Sequence, residues 1–420
     1  MENKKYDVVI IGGGVIGLFS AYYLNKQGRS VLVIDKGPKE EASSHANCGL
    51  VSPSHALPLN SPELILKSLK WLFRKDSPFY IKPQWNLNFT TWMLGFGLNS
   101  RQNKIKRSME GRNSLLLNSR QLYDDFFETE QVNSNWSKQG IMFAFLEEKS
   151  FDEYVEKDLI LSELDPLLQA TPLVGADLRQ MEPALSDNVH GGWWYEIDAS
   201  LKPDELVSEL KELLVNRGVE FANDTEVQTF EIAKGQITRV DTSKGSYYGS
   251  NYVLASGAWS PLIARQLDLN IPIIPGKGYS ITMDKPGISP RMPCIMEEKK
   301  VVATPWKSSY RLGGTMEFAG YDSTLNPTRF GALKKAAELY MKDPYTDNVI
   351  EEWYGWRPMT NNDLPIIDFS KKLSNLLLAC GHNMLGLSMA PSTGKLVSEL
   401  LCDKAPHVDT SFYSFRGNLG

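Results

Sequence analysis

The chain has 420 residues, of which 42% are hydrophobic and 23% charged, and its net charge at pH 7 is −5. This length accommodates one large domain or two medium ones with a substantial core. Lysine and arginine are scattered and form no basic stripe, which excludes a nucleic-acid-binding protein. The four cysteines are far apart and lack metal-ligand spacing, so we predict reduced thiols and no metal site.

The N-terminus leads directly into an apolar strand pattern, without an apolar leader and a cleavage site. We therefore expect no secretory signal and a cytoplasmic protein. No run of about eighteen apolar residues occurs, so the sequence predicts no transmembrane helix.

Residues 6–35 predict a nucleotide-binding unit of strand, glycine turn, helix and strand. Gly12 permits the tight turn, Gly14 lets a pyrophosphate approach the backbone, and Gly17 lets the helix pack closely on the sheet. Phosphate oxygens at the helix N-terminus would meet free N–H groups and the positive end of the helix dipole. Asp35 ends the second strand, where a carboxylate would bind ribose hydroxyls. The motif alone does not distinguish NAD from FAD.

The stretch at 36–59 is rich in polar and small residues and has neither a helical nor a strand period. A long irregular segment beside a nucleotide-binding unit predicts contacts with the cofactor, because exposed backbone groups need partners. Ser43, Ser44 and Asn47 are predicted to donate hydrogen bonds to phosphate or to a flavin ring edge, and Gly49 permits close approach. The alternative is an ordinary loop after the second strand.

Residues 64–98 form an aromatic and basic segment. Its tryptophan, phenylalanine and leucine residues are interleaved with Lys67, Lys70, Arg74, Lys75 and Lys82. Such a segment can lie in a membrane interface, which predicts peripheral contact with the inner face of the cytoplasmic membrane. The alternative, which we favour, is a pair of helices packed over the active site.

The middle of the chain predicts further helices and strands. Helical spacing covers 110–130, a strand pattern covers 141–146, and a helix begins at Pro203 and ends near Gly218. Short strand patterns follow at 219–221, 226–232, 237–242 and 247–248. Val227 stands where backbone contacts could cover the adenine.

The C-terminal part returns to the pattern of the first unit. A buried strand leads through Ser256 into a turn at Gly257 and a helix. Strand patterns then cover 273–318 and 351–368, with a helix over 328–341 between them. The last unit is a strand, a second glycine-rich turn at 381–386 and a long helix, whose N-terminus suits another anionic group.

Eight motifs occur in order: GGGVIG at 12–17, SSHANCGLVSP at 43–53, WLFRKDSPFYIKP at 71–83, ASGAWS at 255–260, KGYS at 277–280, LGGTMEFAGYD at 312–322, GWRPMTNNDLPIID at 355–368 and GHNMLG at 381–386. Together they resemble the D-amino-acid oxidase superfamily of FAD-dependent amine oxidoreductases, and within it the D-amino-acid dehydrogenases. The SPFYIKP and KGYS sequences indicate the dehydrogenase branch. The SPSHALPL sequence is typical of hydroxyproline-type members.

The resemblance implies an α/β fold, with a Rossmann-like FAD-binding domain interleaved with a smaller α+β substrate domain built on an antiparallel sheet. The first is expected to comprise 1–60, 200–270 and 355–420, and the second 61–199 and 271–354. Non-covalent FAD is expected, because the stretch in which sarcosine-oxidase relatives carry a flavin-bearing cysteine lacks one here. The expected FAD contacts are Gly12, Gly14, Val15, Ile16, Gly17, Asp35, Lys36, Ser43, Ser44, Asn47, Gly49, Leu50, Val51, Val227, Ser256, Gly257, Gly381, His382, Asn383, Met384, Leu385 and Gly386.

Arg357 matches the arginine that grips the substrate carboxylate in this superfamily. A planar guanidinium can bind a carboxylate through two parallel hydrogen bonds. Tyr279 is expected either to add a hydroxyl to the carboxylate or to be a core tyrosine. His382 either neighbours the flavin or satisfies a backbone carbonyl, and His45 and His55 carry weaker signals.

The implied activity is oxidation of D-amino acids by hydride transfer from the α-carbon to flavin N5, giving an imino acid and then a 2-oxo acid and ammonia. The expected partners are a small amino-acid or imino-acid substrate and an electron acceptor such as a quinone. One alternative is an oxidase or dehydrogenase of the same superfamily that acts on hydroxyproline, proline, glycine or sarcosine. Another is a flavin-binding scaffold subunit of an electron-transfer complex. The sequence leaves the oligomeric state open.

Overall fold

The computed structural model describes residues 4–38, 42–59, 79–82 and 86–415. The α-helices in these ranges are α1 (Val15–Lys26), α2 (Leu87–Leu98), α3 (Gln102–Thr129), α4 (Glu148–Glu153), α5 (Val155–Leu164), α6 (Gly175–Met181), α7 (Pro203–Asn216), α8 (Ser260–Arg265), α9 (Pro327–Tyr340) and α10 (Gly386–Leu401). The β-strands are β1 (Lys5–Ile11), β2 (Val31–Ile34), β3 (Leu50–Val51), β4 (Phe79–Ile81), β5 (Ile141–Phe145), β6 (Thr171–Val174), β7 (Gly191–Tyr195), β8 (Ala199–Ser200), β9 (Glu220–Ala222), β10 (Val227–Ala233), β11 (Gln236–Thr242), β12 (Gly245–Leu254), β13 (Ile273–Asp284), β14 (Cys294–Met296), β15 (Val301–Pro305), β16 (Ser309–Phe318), β17 (Val349–Thr360), β18 (Ile366–Phe369) and β19 (Leu376–Cys380).

The first sheet has a parallel centre. Strands β9, β2, β1, β12 and β19 lie side by side in this order and are all parallel. Strand β18 closes the edge antiparallel to β19, and the hairpin of β10 and β11 adds to the first half of β12. The buried runs of β1 and β2 read VVII and VLVI, as expected of parallel strands that are covered on both faces. Helices α1 and α10 pack against each other in the core that covers this sheet.

Four strands of the first sheet end at the same edge. Strand β1 leads into Gly12, β2 into Asp35, β12 into Ser256 and β19 into Gly381. Because the carboxyl ends of parallel strands share one edge, the sheet brings together segments that are far apart in the chain. Ligands of open α/β sheets bind at this edge.

The second sheet is mainly antiparallel. Its strand order is β17, β13, β16, β15, β14, β5, β7 and β6, with β4 beside β16. Among these neighbours, β14 with β5 and β16 with β4 are parallel. Helix α9 packs against β13 and β16 and buries Phe330 and Leu333 in a common core. In the pairing of β13 with β17, Gly276 lies opposite Arg357.

The predicted fold class is confirmed, with differences at the element boundaries. The domain boundary predicted at residue 355 lies inside β17, and residues 355–360 continue the pairing with β13, so they belong to the second sheet. The strand predicted at 247–248 and the buried strand after it form one strand, β12. Its residues 245–247 pair with β11 and its residues 248–254 run along β1. Helix α3 begins at Gln102 rather than at residue 110.

The aromatic and basic segment at 64–98 is described only in part. Lys67, Lys70, Arg74 and Lys75 lie outside the described residues. The described part contains β4 and α2, whose N-cap Asn86 accepts hydrogen bonds from two backbone N–H groups. One side of α2 buries Trp92, while three leucines on it, Leu87, Leu94 and Leu98, are 81%, 66% and 61% exposed. Within the described ranges, no helix has the length and hydropathy needed to cross a membrane.

Candidate active site

A cavity of about 430 Å³ lies at the carboxyl edge of the first sheet and is lined by residues of both sheets. The predicted site residues that line it are Gly12, Gly14, Val15, Ile16, Asp35, Lys36, Ser43, Ser44, Asn47, Leu50, Val227, Ser256, Gly257, Tyr279, Arg357, His382, Asn383, Met384, Leu385 and Gly386. Those that do not line it are Gly17, Gly49, Val51 and Gly381. Residues from eight separate stretches of the sequence therefore line one space.

The N-terminus of α1 opens into this cavity. Gly12 has a φ of +117°, and a Cβ atom there would lie 2.5 Å from the carbonyl oxygen of Ala255. A Cβ atom at Gly17 would overlap the carbonyl oxygen of Gly12, so the helix can approach the strand only because residue 17 is glycine. The first turn of α1 contains no acidic residue, and its N-cap Gly14 offers no side chain to cap it. The Val15 amide in this first turn donates to Ser44 Oγ, and the helix end as a whole suits an anionic ligand.

Asp35 lies beside this turn. Its Oδ2 accepts a hydrogen bond from the Gly13 amide at 2.6 Å, and its Oδ1 accepts one from the Gly37 amide at 2.9 Å. These bonds fix the carboxylate at the cavity wall and leave further lone pairs on both oxygens. Binding of ribose hydroxyls by Asp35 stays a prediction.

A second helix N-terminus, that of α10, opens into the same cavity. Its first turn also lacks acidic residues, and no side chain caps it. The turn before it is fastened to β17, because Asn383 Oδ1 accepts a hydrogen bond from the Thr360 amide at 2.7 Å and the Asn383 amide donates to Pro358 O at 3.1 Å. His382 Nε2 lies 3.0 Å from Thr393 Oγ1, so a side chain engages the ring. Burial lowers the pKa of His382 to about 3, which keeps the imidazole neutral.

The second sheet holds the segment at 43–52 through three successive carbonyl groups. The carbonyl oxygens of residues 46, 47 and 48 accept hydrogen bonds from Ser280 at 2.7 Å, Arg311 at 2.7 Å and Thr304 at 2.8 Å. Sequence reasoning missed these three side chains, since each comes from a different strand of the other sheet. Gly49 permits the close approach of the Leu201 carbonyl group, because a Cβ atom on residue 49 would overlap the Leu201 carbonyl oxygen.

The hydroxyl and amide side chains predicted in this segment have protein partners. Asn47 donates to Ser43 O at 3.0 Å and accepts from the Gly49 amide at 2.9 Å. Ser43 Oγ donates to Trp356 O, and Ser44 Oγ accepts from the Val15 amide at 3.0 Å. Their predicted contacts with the cofactor stay predictions.

Arg357 projects from β17 toward the cavity. Its Nη1 donates to Thr315 O at 2.9 Å, and its guanidinium lies against Gly278, where a Cβ atom would overlap it. Among the described residues, no carboxylate pairs with Arg357, and no hydrogen bond engages its Nε or Nη2. The largely buried Arg112 and Arg120 differ, since they pair with Asp363 and Asp124.

Burial lowers the pKa of Arg357, but the ordinary value is so high that the side chain stays charged. Arg357 is half-buried, and a partly desolvated cation without a protein anion favours a ligand that supplies the opposite charge. The guanidinium is therefore a site for an anionic group of a ligand, and a carboxylate matches its two parallel donors.

A β-bulge shapes the position of Arg357. The register of β13 and β16 shifts between Lys277 and Tyr279, opposite residues 314–317. Thr315 in this bulge has a φ of +61°, an unfavourable conformation for a β-branched side chain. The bulge turns the Thr315 carbonyl onto the Arg357 guanidinium. Strained residues of this kind cluster at functional sites.

Tyr279 lies on β13 and is buried. Its hydroxyl donates to Glu317 Oε2 at 2.9 Å, and burial raises the pKa of Tyr279. This partner supports the alternative of a core tyrosine. The predicted contact of this hydroxyl with a substrate carboxylate stays a prediction.

Residues 7–400 match the family model DAO, which is described as FAD dependent oxidoreductase. The chain belongs to the DAO family. Among relatives, a D-amino acid dehydrogenase of Paramagnetospirillum magneticum is 32% identical over 403 residues, covering 94% of both chains. D-amino acid dehydrogenase 1 of Mesorhizobium japonicum is 30% identical over 415 residues, covering 96% of this chain and 97% of the relative.

Two solved structures of similar fold are a glycine oxidase of Geobacillus kaustophilus and an L-amino acid deaminase of Proteus myxofaciens. The first has a TM-score of 0.78 at 20% identity and covers 99% of this chain and 100% of its own. The second has a TM-score of 0.76 at 18% identity and covers 99% and 95%. At these identities the likeness shows a shared fold.

The cavity fits the FAD of the DAO family. Two helix N-termini open into it. Their first turns lack acidic residues and their N-cap residues form no side-chain cap, and such ends favour phosphates and other anionic groups. Two cysteines, Cys48 and Cys380, line the cavity. Burial raises the pKa of both thiols, that of Cys380 to about 12, which disfavours the thiolate form that covalent attachment requires. These features support non-covalent FAD.

Replacing Gly278 by alanine is expected to displace the Arg357 guanidinium, because the new Cβ atom would occupy its place. The guanidinium ends a flexible side chain, so it moves while the strands stay paired. We expect kcat/KM for a carboxylate substrate to fall by about 10²-fold, the effect of a misplacement of about 1 Å. FAD content and the thermal midpoint should stay unchanged. The control is Gly97→Ala on α2, where a Cβ atom meets nothing within 4 Å.

Proposed function

We propose that this chain is an FAD-dependent D-amino-acid dehydrogenase. The substrate loses two electrons and two protons and becomes an imino acid, and water then converts the imino acid into a 2-oxo acid and ammonia. The group that accepts the hydride from the α-carbon is supplied by FAD when bound. The names of the relatives at 32% and 30% identity over nearly the full length support this substrate class.

The observation that carries the proposal is the uncompensated charge of Arg357 in the cavity. The Thr315 carbonyl and the surface of Gly278 hold the guanidinium, while its Nε and Nη2 lack partners among the described residues. Two parallel hydrogen bonds from this group would fix the substrate carboxylate and thereby the position of the α-carbon. Two hydrogen bonds of Asn383 connect β17, the strand that carries Arg357, to the turn at the N-terminus of α10.

The test is anaerobic bleaching of the flavin. The purified protein is mixed without oxygen with single D-amino acids, their L-enantiomers, glycine, sarcosine and hydroxyproline isomers, and the visible absorption of the oxidised flavin is followed. Loss of absorption with D-amino acids and not with L-enantiomers is the expected result. Bleaching by glycine, sarcosine or hydroxyproline alone would assign the chain to another substrate class. Turnover by the isolated chain with an artificial acceptor is expected and would exclude a scaffold subunit.

We further propose that the electron acceptor is a quinone and that α2 contacts the membrane surface that carries it. Leu87, Leu94 and Leu98 are spaced by seven and four residues, so they share one helix face, and all three are largely exposed. Trp92 is buried among Met316, Phe318 and Met359, so the rest of α2 is anchored to the protein. An exposed apolar helix face on an anchored helix suits insertion into a lipid interface.

Replacing Leu87, Leu94 and Leu98 together by serine is expected to weaken partition onto lipid vesicles at least tenfold, because each buried leucine contributes about 1.5–3 kcal/mol. Vesicle co-sedimentation of the holoenzyme measures the effect. The matched control replaces Leu159, Ile160 and Leu167 by serine, three residues that are 55%, 44% and 62% exposed elsewhere on the surface. Equal partition of the two variants would rule out α2 as the contact.

A further inference from the structure

Three glycines of the second sheet form a patch beside Arg357 that has no side chains of its own. Gly276 and Gly278 lie on β13, and Gly355 lies on β17 directly opposite Gly278. Arg357 lies opposite Gly276. Residues directly opposite each other in an antiparallel pair share one face of the sheet, and so do residues two apart on one strand. This glycine patch and Arg357 therefore belong to the same face, where Gly278, Gly355 and Arg357 line the cavity.

Two side chains cover the glycine patch, and they lie next to each other. A Cβ atom at Gly278 would overlap the guanidinium of Arg357, and a Cβ atom at Gly355 would overlap the benzene ring of the Trp353 indole. The Cβ positions of directly opposite residues are about 5 Å apart. The indole and the guanidinium are therefore neighbours on one face, and Trp353 also lines the cavity. A ligand group that binds Arg357 lies beside the Trp353 ring.

The two flanks of the guanidinium differ in chemistry. Strand β13 lies between β17 and β16. On the flank toward β16, Nη1 of Arg357 donates to the Thr315 carbonyl at 2.9 Å. On the flank toward β17 lies the hydrocarbon ring of Trp353. In an amino acid whose carboxylate is on Arg357, the α-carbon is one bond away, so a side chain directed toward β17 meets the ring.

The charges of the cavity wall favour an apolar substrate side chain. Among the described residues of the second sheet that line the cavity, Arg357 is the only charged one. A charged side chain of a substrate would lose its hydration on this wall without gaining an ion pair there, which costs free energy. An apolar side chain gains free energy from contact with ring carbons.

We propose that Trp353 forms the wall of the side-chain pocket and limits the size of the D-amino acids that the enzyme accepts. This inference rests on the proposed function and deepens it, because it names small apolar D-amino acids such as D-alanine as the preferred substrates. The indole fills the space above Gly355, so a bulky side chain beside the carboxylate collides with the ring. A smaller residue at position 353 would leave Gly355 uncovered and lengthen the pocket.

The experiment measures side-chain discrimination in the holoenzyme. The measured quantity is the ratio of kcat/KM for D-phenylalanine to kcat/KM for D-alanine, with an artificial electron acceptor. The variants are Trp353→Phe, which keeps one ring, and Trp353→Leu, which keeps none. In the unaltered protein D-alanine should have the higher kcat/KM. We expect Trp353→Leu to raise the ratio at least about tenfold, the effect of a small change in the size of a hydrophobic pocket, and Trp353→Phe to raise it less.

Trp356→Leu is the matched control. Trp356 belongs to the same strand but faces the other side of the sheet, where its ring packs against Tyr354 and Tyr321 with centroids 5.2 and 5.9 Å apart. Trp353 is 8% exposed and Trp356 is 4% exposed, so both leucine variants remove a buried tryptophan from β17. The control should leave the ratio unchanged. The FAD content of each variant reports whether it folds.

An unchanged ratio in both Trp353 variants with full FAD content would overturn the inference, even if kcat/KM fell equally for the two substrates. An equal fall would place the ring against the amino group that both substrates share, since an aromatic ring can bind a cation.

If both Trp353 variants lose FAD, the unaltered holoenzyme provides the test. A higher kcat/KM for D-phenylalanine than for D-alanine would then overturn the inference, and the reverse order would support it. If no D-amino acid bleaches the flavin of the unaltered holoenzyme, the proposed function fails and the inference with it. Bleaching by D-amino acids together with an unchanged ratio in the variants would overturn the inference alone.

Discussion

Arg357→Ala is expected to lower kcat/KM for D-amino acids by about 10²–10⁴-fold. The substitution removes two hydrogen bonds to a charged carboxylate, each with a contribution of about 1.5–3 kcal/mol. Most of the loss should be seen in KM, because the carboxylate is held in the ground state as well as in the transition state. Anaerobic reduction of the flavin at varied substrate concentration separates the two parameters.

Arg357→Lys provides the matched comparison. Lysine keeps the positive charge but lacks the planar fork, so we expect an intermediate activity if geometry contributes along with charge. The control is Arg239→Ala on β11, where the side chain is on the surface and pairs with Glu231 and Asp241. An unchanged KM in Arg357→Ala with full FAD content would show that another group binds the carboxylate.

The parts of the fold that follow local sequence rules could be predicted. The glycine turn at Gly12, the strand that ends at Asp35 and the helix that begins at Pro203 each have a signal within a few residues. The continuous β12 could not be read from its sequence in the same way. Its first three residues pair with β11 and the other seven join the parallel sheet beside β1, so two different partners define it.

The site residues that belong to a sequence motif could be predicted. The contacts that they receive from distant strands could not. Arg357 was found through the sequence GWRP, but its support on Gly278 and the Thr315 carbonyl depends on a bulge between two strands. The bond between Ser280 and the Ala46 carbonyl joins residues 234 positions apart. The periodicity and spacing of residues within one segment do not indicate a hydrogen bond between two distant segments.

His55 illustrates the same limit. On sequence it was a weak candidate, because a histidine in a polar stretch has many uses. Its surroundings depend on Asp198, a residue 143 positions further on whose carboxylate accepts two hydrogen bonds from the neighbouring Ser54.

Gly17→Ala is expected to give the largest loss of stability together with loss of FAD. The new Cβ atom would overlap the Gly12 carbonyl oxygen, a backbone atom that cannot rotate away. Either α1 lifts from β1 or the glycine turn moves, and both changes displace the helix N-terminus that lines the cavity. We expect destabilisation of about 3 kcal/mol, at the upper end of the range for overpacking. Thermal unfolding and the ratio of bound FAD to protein measure the two effects.

Gly331→Ala in α9 is the control that separates collision from the general effect of a methyl group. A Cβ atom at Gly331 meets nothing within 4 Å, and the position is helical. Alanine there should raise stability by up to about 1 kcal/mol, because glycine is the poorer helix former. The contradicting outcome is a Gly17→Ala variant that binds one FAD per chain and unfolds at the same temperature as Gly331→Ala. It would show that FAD binding does not depend on the close approach of α1 to the Gly12 carbonyl.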